Sequence, residues 1–279
     1  MSRAAALAVA VVAVVAVVAV VGAACTDDDG RAVLLGGARI PAERLARGQR
    51  LYRRYCATCH GERGDGLGPA AVFLWPPPRD LRTATFKFAP AAEGDLPADA
   101  DIARVIRDGL TGTAMLPWHM PDAELGPVID YIKSFSPARR GFRDRRRRQA
   151  RPPLPPDPYA AEATAAAGRA EGARLYHAVF QCDQCHPTYA SATELAAWRA
   201  RPRLTAPRDP VPRWSASYRT VLVPPDFLRH PMRLSRTPAD FYQIIAHGMQ
   251  GPMPAYGHLG SDQVWAVAHY TAWLAGQRR

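Results

Sequence analysis

Two five-residue units, Cys56-Ala57-Thr58-Cys59-His60 and Cys182-Asp183-Gln184-Cys185-His186, hold four of the chain's five cysteines. Cysteines at i and i+3 on a helical turn present both sulfurs to one side, and the histidine that follows points its imidazole over the same face. This suits two thioether bonds to the vinyl groups along one porphyrin edge, with the imidazole nitrogen as an iron ligand, so each unit reads as a covalent haem c attachment site. A tetrahedral zinc site needs its cysteine pairs roughly 15 to 20 residues apart, whereas Cys59 and Cys182 are 123 positions apart. A thioredoxin-like redox pair expects a βαβ setting, and none is legible. Downstream of each unit comes a methionine in a glycine- and proline-rich loop: Met115 in Gly112-Thr113-Ala114-Met115-Leu116-Pro117-Trp118, and Met253 in Gly251-Pro252-Met253-Pro254-Ala255-Tyr256. A methionine there is either a sixth iron ligand or a core filler. Met120, Met249, His119 and His258 lie close enough to compete, and Met232 lies far from the closing loop.

The elements that position these groups occur twice in the same order, the mark of an internal duplication. Gly48-Gln49-Arg50-Leu51-Tyr52 precedes the first unit and Gly172-Ala173-Arg174-Leu175-Tyr176 the second. Pro77-Pro78-Arg79-Asp80-Leu81 answers Pro224-Pro225-Asp226-Phe227-Leu228, and Asp101 to Gly109 answers Asp240 to Gly248. Leu45, Gly48, Leu51, Tyr52 and Tyr55 share a helical face, as do Leu125, Val128, Ile129 and Ile132, and later Val264, Val267, Ala268 and Thr271. No alternating strand run stands out. Between the repeats, Arg139 to Pro158 carries eight arginines, two aspartates and five prolines, a composition that reads as a solvated linker.

With these motifs the chain resembles class I cytochrome c domains over about residues 40–138 and 168–279. The resemblance implies an all-α fold of two tandem cytochrome c-like domains, each a small helical domain wrapped around one covalent haem. Its boundaries are 39–138 for the first domain, 139–167 for an Arg/Pro-rich linker and 168–279 for the second. It implies that Gly48 crosses Tyr131 and Gly172 crosses Tyr270 where terminal helices meet. It implies His60 with Met115 and His186 with Met253 as axial pairs, and the Pro69 carbonyl, from the loop Gly61 to Pro69, as the group that orients His60. The second unit lacks that glycine loop, and the sequence offers no orienting group for His186.

The chain of 279 residues has room for two domains, and its 48% apolar and 22% charged composition is that of a globular protein. Its net charge of +11 is carried almost entirely by arginine, the only lysines being Lys87 and Lys133. Residues 1–24 contain an apolar run from Ala4 to Ala24, long enough either to be a signal segment or to span a membrane. Small residues then precede Cys25, similar to a bacterial lipoprotein signal. Lipidation at Cys25, a retained anchor and simple cleavage are all open, with 25–38 as a tether. Each places the globular part outside the cytoplasm, on the periplasmic side of a bacterial membrane. The function expected is single-electron transfer between redox proteins or respiratory-complex subunits, with an acidic partner on the arginine run and no role in binding nucleic acid. A diheme peroxidase is the enzymatic alternative, and it needs one iron with an open position and acid/base groups beside it.

Overall fold

The computed structural model describes residues 32–91, 95–199, 209–215, 218, 220–235, 237–249, 251 and 253–277. The expectations for residues 1–24 and for Cys25 lie outside the described residues. Helices dominate, and the hydrophobic side chains gather into two cores, one for each repeat.

The first unit opens with a hairpin, β1 (Ala32–Leu35) and β2 (Ala38–Pro41), paired antiparallel with Val33 opposite Ile40. Gly36 and Gly37 both have positive φ and make the tight turn. Val33, Leu35 and Ile40 enter the core, so the tether expected over 25–38 does not extend past residue 31. Four-residue strands are too short for their alternation to stand out in a sequence. Helix α1 (Ala42–Tyr55) runs into the short α2 (Ala57–His60), followed by α3 (Asp99–Asp108) and α4 (Asp122–Ser134). Leu125, Val128, Ile129 and Ile132 are all buried on α4, as their spacing predicts. A methyl on Gly48 would collide with the Pro127 carbonyl and lie 2.9 Å from Tyr131 Cβ, so α1 and α4 touch backbone to backbone at this point. Buried Lys133 adds charge pairing across α4, 2.9 Å from Asp99 and 3.1 Å from Asp130.

The arginine run corrects the reading of a solvated linker. Phe142 is 1% exposed within the first core, and Gln149 pairs with Leu96 in a parallel bridge. Asp144 accepts from the backbone of Arg140 and Arg146, fixing a turn. One aromatic and one turn-forming aspartate outweigh the composition around them, because the arginines need only their heads in water.

The second unit repeats the plan with α5 (Glu162–Ala178), α6 (Ala192–Trp198), a hairpin of β3 (Arg213–Ser215) and β4 (Thr220–Leu222), α7 (Pro238–His247) and α8 (Ser261–Gly276). Gly172 meets the Ala266 carbonyl and Tyr270 Cβ as Gly48 meets its partners. Trp265 is buried in α8 while Trp273 is exposed. The units touch: Arg104 donates to Asp240 at 2.6 Å and the Thr111 amide to the Arg233 carbonyl at 3.0 Å. Gln243 reaches the Pro152 carbonyl at 3.0 Å.

Candidate functional site

In the first unit α1 ends at Tyr55 and the chain turns directly into α2, with the His60 amide bonded to the Cys56 carbonyl at 2.8 Å. This one helical turn is what brings the two sulfurs and the imidazole together. The loop beyond folds back on it: the Gly66 amide reaches the His60 carbonyl at 2.8 Å and the Gly68 amide the Cys59 carbonyl at 3.2 Å. Gly68 lies so close to the Ala57 and Thr58 carbonyls that no side chain would fit. In the second unit two extra residues separate Tyr176 from the cysteine pair, compared with Tyr52 in the first. Gln181 absorbs them in a left-handed conformation, and Cys182–Gln184 form a 3₁₀ turn. The His186 amide still bonds the Cys182 carbonyl, at 2.9 Å.

Each histidine is held from the same side. His60 Nδ1 lies 3.0 Å from the Arg79 carbonyl oxygen and His186 Nδ1 lies 3.0 Å from that of Pro225. A carbonyl only accepts, so Nδ1 carries the proton in both rings and Nε2 keeps a free lone pair. Burial holds both imidazoles below the ordinary histidine pKa, so each is neutral at pH 7. The expectation that the Pro69 carbonyl orients His60 is corrected to Arg79. The orienting group of His186, illegible in the sequence, is Pro225. This also shifts the repeat alignment by one residue: Pro78-Arg79-Asp80-Leu81 matches Pro224-Pro225-Asp226-Phe227. In both, the aspartate carboxylate accepts from the amide two residues on, Arg82 or Leu228.

The second unit replaces the glycine loop with side chains. Tyr189 hydroxyl donates to Asp226 at 3.2 Å and accepts from the Phe227 amide at 2.8 Å, and Phe227 stacks on His186 with ring centroids 5.0 Å apart. Asp183, inside the cysteine pair, is buried against Arg199, which follows α6. Tyr52 donates to the Gly61 carbonyl at 2.8 Å and Tyr176 to that of Pro187 at 3.1 Å, in each case the residue after the histidine. The sequence places Tyr52 on a helix face and Tyr176 in the matching repeat segment, but not in this role. Their position in the repeated Gly-x-Arg-Leu-Tyr pattern was the available signal.

The methionine loops are equivalent in backbone terms. Gly109 and Gly248 end α3 and α7 with positive φ. The next amide turns back to the methionine carbonyl, Leu110 to Met115 at 2.8 Å and Met249 to Met253 at 3.4 Å. Met115 and Met253 are half-buried against their cores, while His119 and His258 are exposed. Met120 is buried in the first core and Met232 packs on the second. Three of the four remaining histidines have local partners: His177 with the Ala173 carbonyl, His230 with the Asp226 amide and His269 with Asp157, while His247 closes α7.

Cys56, Cys59, Cys182 and Cys185 form no disulfide with one another. Burial, followed by the neighbouring Cys59, pushes Cys56 up to about 12, and burial also drives Cys182 well up. Thioether bonds to a porphyrin edge need no charge on sulfur, so burial of Cys56 and Cys182 is compatible with them. The donor set, two thiols, a neutral imidazole and a thioether in each unit, fits covalent haem with histidine and methionine on iron.

The family model for cytochrome c oxidase, cbb3-type, subunit III matches residues 43–132 and 167–270. A chain from the Kuenenia stuttgartiensis reducing HAO-like protein complex is similar in structure, with a TM-score of 0.63 and 25% sequence identity, covering 82% of this chain and 95% of that one. A search of curated protein sequences gives no match.

Proposed function

Because this chain belongs to the family of cytochrome c oxidase, cbb3-type, subunit III, and is thus an electron-transfer cytochrome, we propose that it carries electrons on two haems. Cys56 and Cys59 would hold one haem c and Cys182 and Cys185 the other, with His60 and Met115, and His186 and Met253, as the iron ligands. When bound, each haem supplies a one-electron couple between ferric and ferrous iron.

The protein's own part is to fix the ligands. The Arg79 and Pro225 carbonyls lock each histidine in the tautomer that offers Nε2. A methionine thioether as the second iron ligand would raise the potential and leave no position for a substrate, which favours a carrier over a peroxidase. The observation that carries the reading is the repetition: carbonyl-held neutral histidine, tyrosine anchor and glycine-turned methionine loop recur in both units despite their different intervening loops.

The same reading extends to partners and place. Likeness to one chain of the Kuenenia complex supports a position within a larger assembly. Arg139, Arg140, Arg145 and Arg148 are exposed on the ordered run and suit an acidic redox partner, whose electron exchange added salt should slow. The apolar run before Cys25 supports attachment to the outer face of a bacterial cytoplasmic membrane, through lipid on Cys25 or through the run itself. A mature N-terminal peptide beginning at acylated Cys25 separates the two. The central test is intact mass after acid–acetone extraction. Two haem increments should survive, and one should remain when Cys56 and Cys59 are both replaced by alanine. Two increments in that double variant would sink the assignment.

A further inference from the structure

Arg79 has two roles at once. Its carbonyl holds His60 of the first unit, and its guanidinium lies over the ring of Tyr218 in the second, 3.7 Å from the ring centroid. Lys87 approaches the same ring at 4.7 Å. Tyr218 in turn donates from its hydroxyl to the Met249 carbonyl at 2.7 Å. Its ring also backs onto the loop at Gly251, where an added methyl would lie 2.8 Å from Tyr218 Cε2. Met249 and Gly251 begin the loop that presents Met253, and the Met249 amide closes that loop on the Met253 carbonyl at 3.4 Å. The contacts therefore run without a break from the His60 side of one unit to the methionine loop of the other.

We propose that Tyr218 is a positioning residue for the second iron site, clamping the Met253 loop against Arg79 of the first unit. This rests on the reading of Met253 as an iron ligand. The Met253 loop has one internal backbone bond among its described residues, from the Met249 amide to the Met253 carbonyl. Its hold on the metal then depends on what covers it, and here the cover comes from the neighbouring unit. Part of that cover is the Arg79–Tyr218 contact itself, so a change at Arg79 is felt 174 residues away in the chain.

The test uses the full-length holoprotein and reads the sulfur-to-iron charge-transfer band and the rate at which reduced haem binds carbon monoxide. Tyr218→Leu, and separately Arg79→Ala, should weaken the band of one haem and speed carbon monoxide binding there. The expected factor is roughly 2 to 30, the range a cation–π contact spans. Tyr218→Phe keeps the stack on Arg79 but loses the bond to Met249, so its effect should be intermediate. It also serves as the milder variant if the leucine protein fails to fold. Arg104→Ala loosens the same interface without touching the Met253 loop and should leave the band intact. Two intact bands in both Tyr218→Leu and Arg79→Ala, or equal loss in Arg104→Ala, would overturn the inference. If the unaltered protein lacks a sulfur band at the second haem, the ligand reading itself fails and the inference falls with it.

Discussion

Replacing Gly48 by alanine sets two effects against each other, and the structure decides between them. In a helix interior alanine is favoured over glycine by about 0.8–1 kcal/mol. At Gly48, however, the new methyl collides with the Pro127 carbonyl oxygen and lies 2.9 Å from Tyr131 Cβ. Neither neighbour can rotate away, since one is main chain and the other is the first carbon of its side chain. Ordinary carbon contact is roughly 3.5–4.0 Å, so relief requires α1 and α4 to separate along their whole crossing. Overpacking of this kind costs about 1–3 kcal/mol, and parting the two helices also loosens apolar contacts in the first core. The net expectation is a loss of about 1–2 kcal/mol, several degrees in Tm for a unit of this size. Gly172→Ala should behave alike against Ala266 and Tyr270. Gly276→Ala, where nothing lies within 4 Å, should be neutral or slightly stabilising. Urea unfolding of the holoprotein followed by far-ultraviolet circular dichroism reads all three. Gly48→Ala and Gly172→Ala proteins as stable as the parent would refute close backbone contact at the two crossings.

Three further outcomes follow from the packing of other residues. Phe142→Ala should cost about 3–5 kcal/mol, the range for a buried aromatic, whereas a solvated linker would register nothing in the same unfolding experiment. Asp144 is held well below the ordinary aspartate value, first by the Arg146 side chain and then by the Arg140 and Arg146 amides. Its contribution is therefore fully present above the ordinary value near 3.8 and is lost as the pH falls below it. Trypsin should cut the arginine run slowly at neutral pH and faster in Asp144→Ala; equal rates would mean that the turn is not what protects it. Tyr176→Phe should cost about 1–3 kcal/mol, because it leaves the buried Pro187 carbonyl without its donor, whereas Tyr52→Phe should cost only about 0.5–1.5 kcal/mol, because the Gly61 carbonyl keeps the Gly64 amide at 3.1 Å. Each should also broaden the histidine-dependent spectrum of one haem only.

What the sequence alone determined were the local, spacing-coded features: the two Cys-x-x-Cys-His turns, the methionine loops and the duplication, while the resemblance to cytochrome c domains supplied the glycine–tyrosine helix crossings. A helical turn needs only neighbours in the chain, and a crossing that admits no side chain leaves glycine as its signature. The tertiary structure decided whatever depended on main-chain atoms or on distant partners. A carbonyl oxygen is common to every residue, so nothing in the letters distinguished Arg79 or Pro225 from Pro69 as the partner of a histidine. Residues 32–38 and 139–151 pack, against expectation, for a related reason. Three buried side chains in the hairpin, and Phe142 with Asp144 in the run, decide whether those segments pack, while composition averages them away. The contact between units was the least legible of all. Arg79 and Tyr218 are 139 positions apart, and each is an ordinary polar or aromatic residue until the fold stacks one on the other.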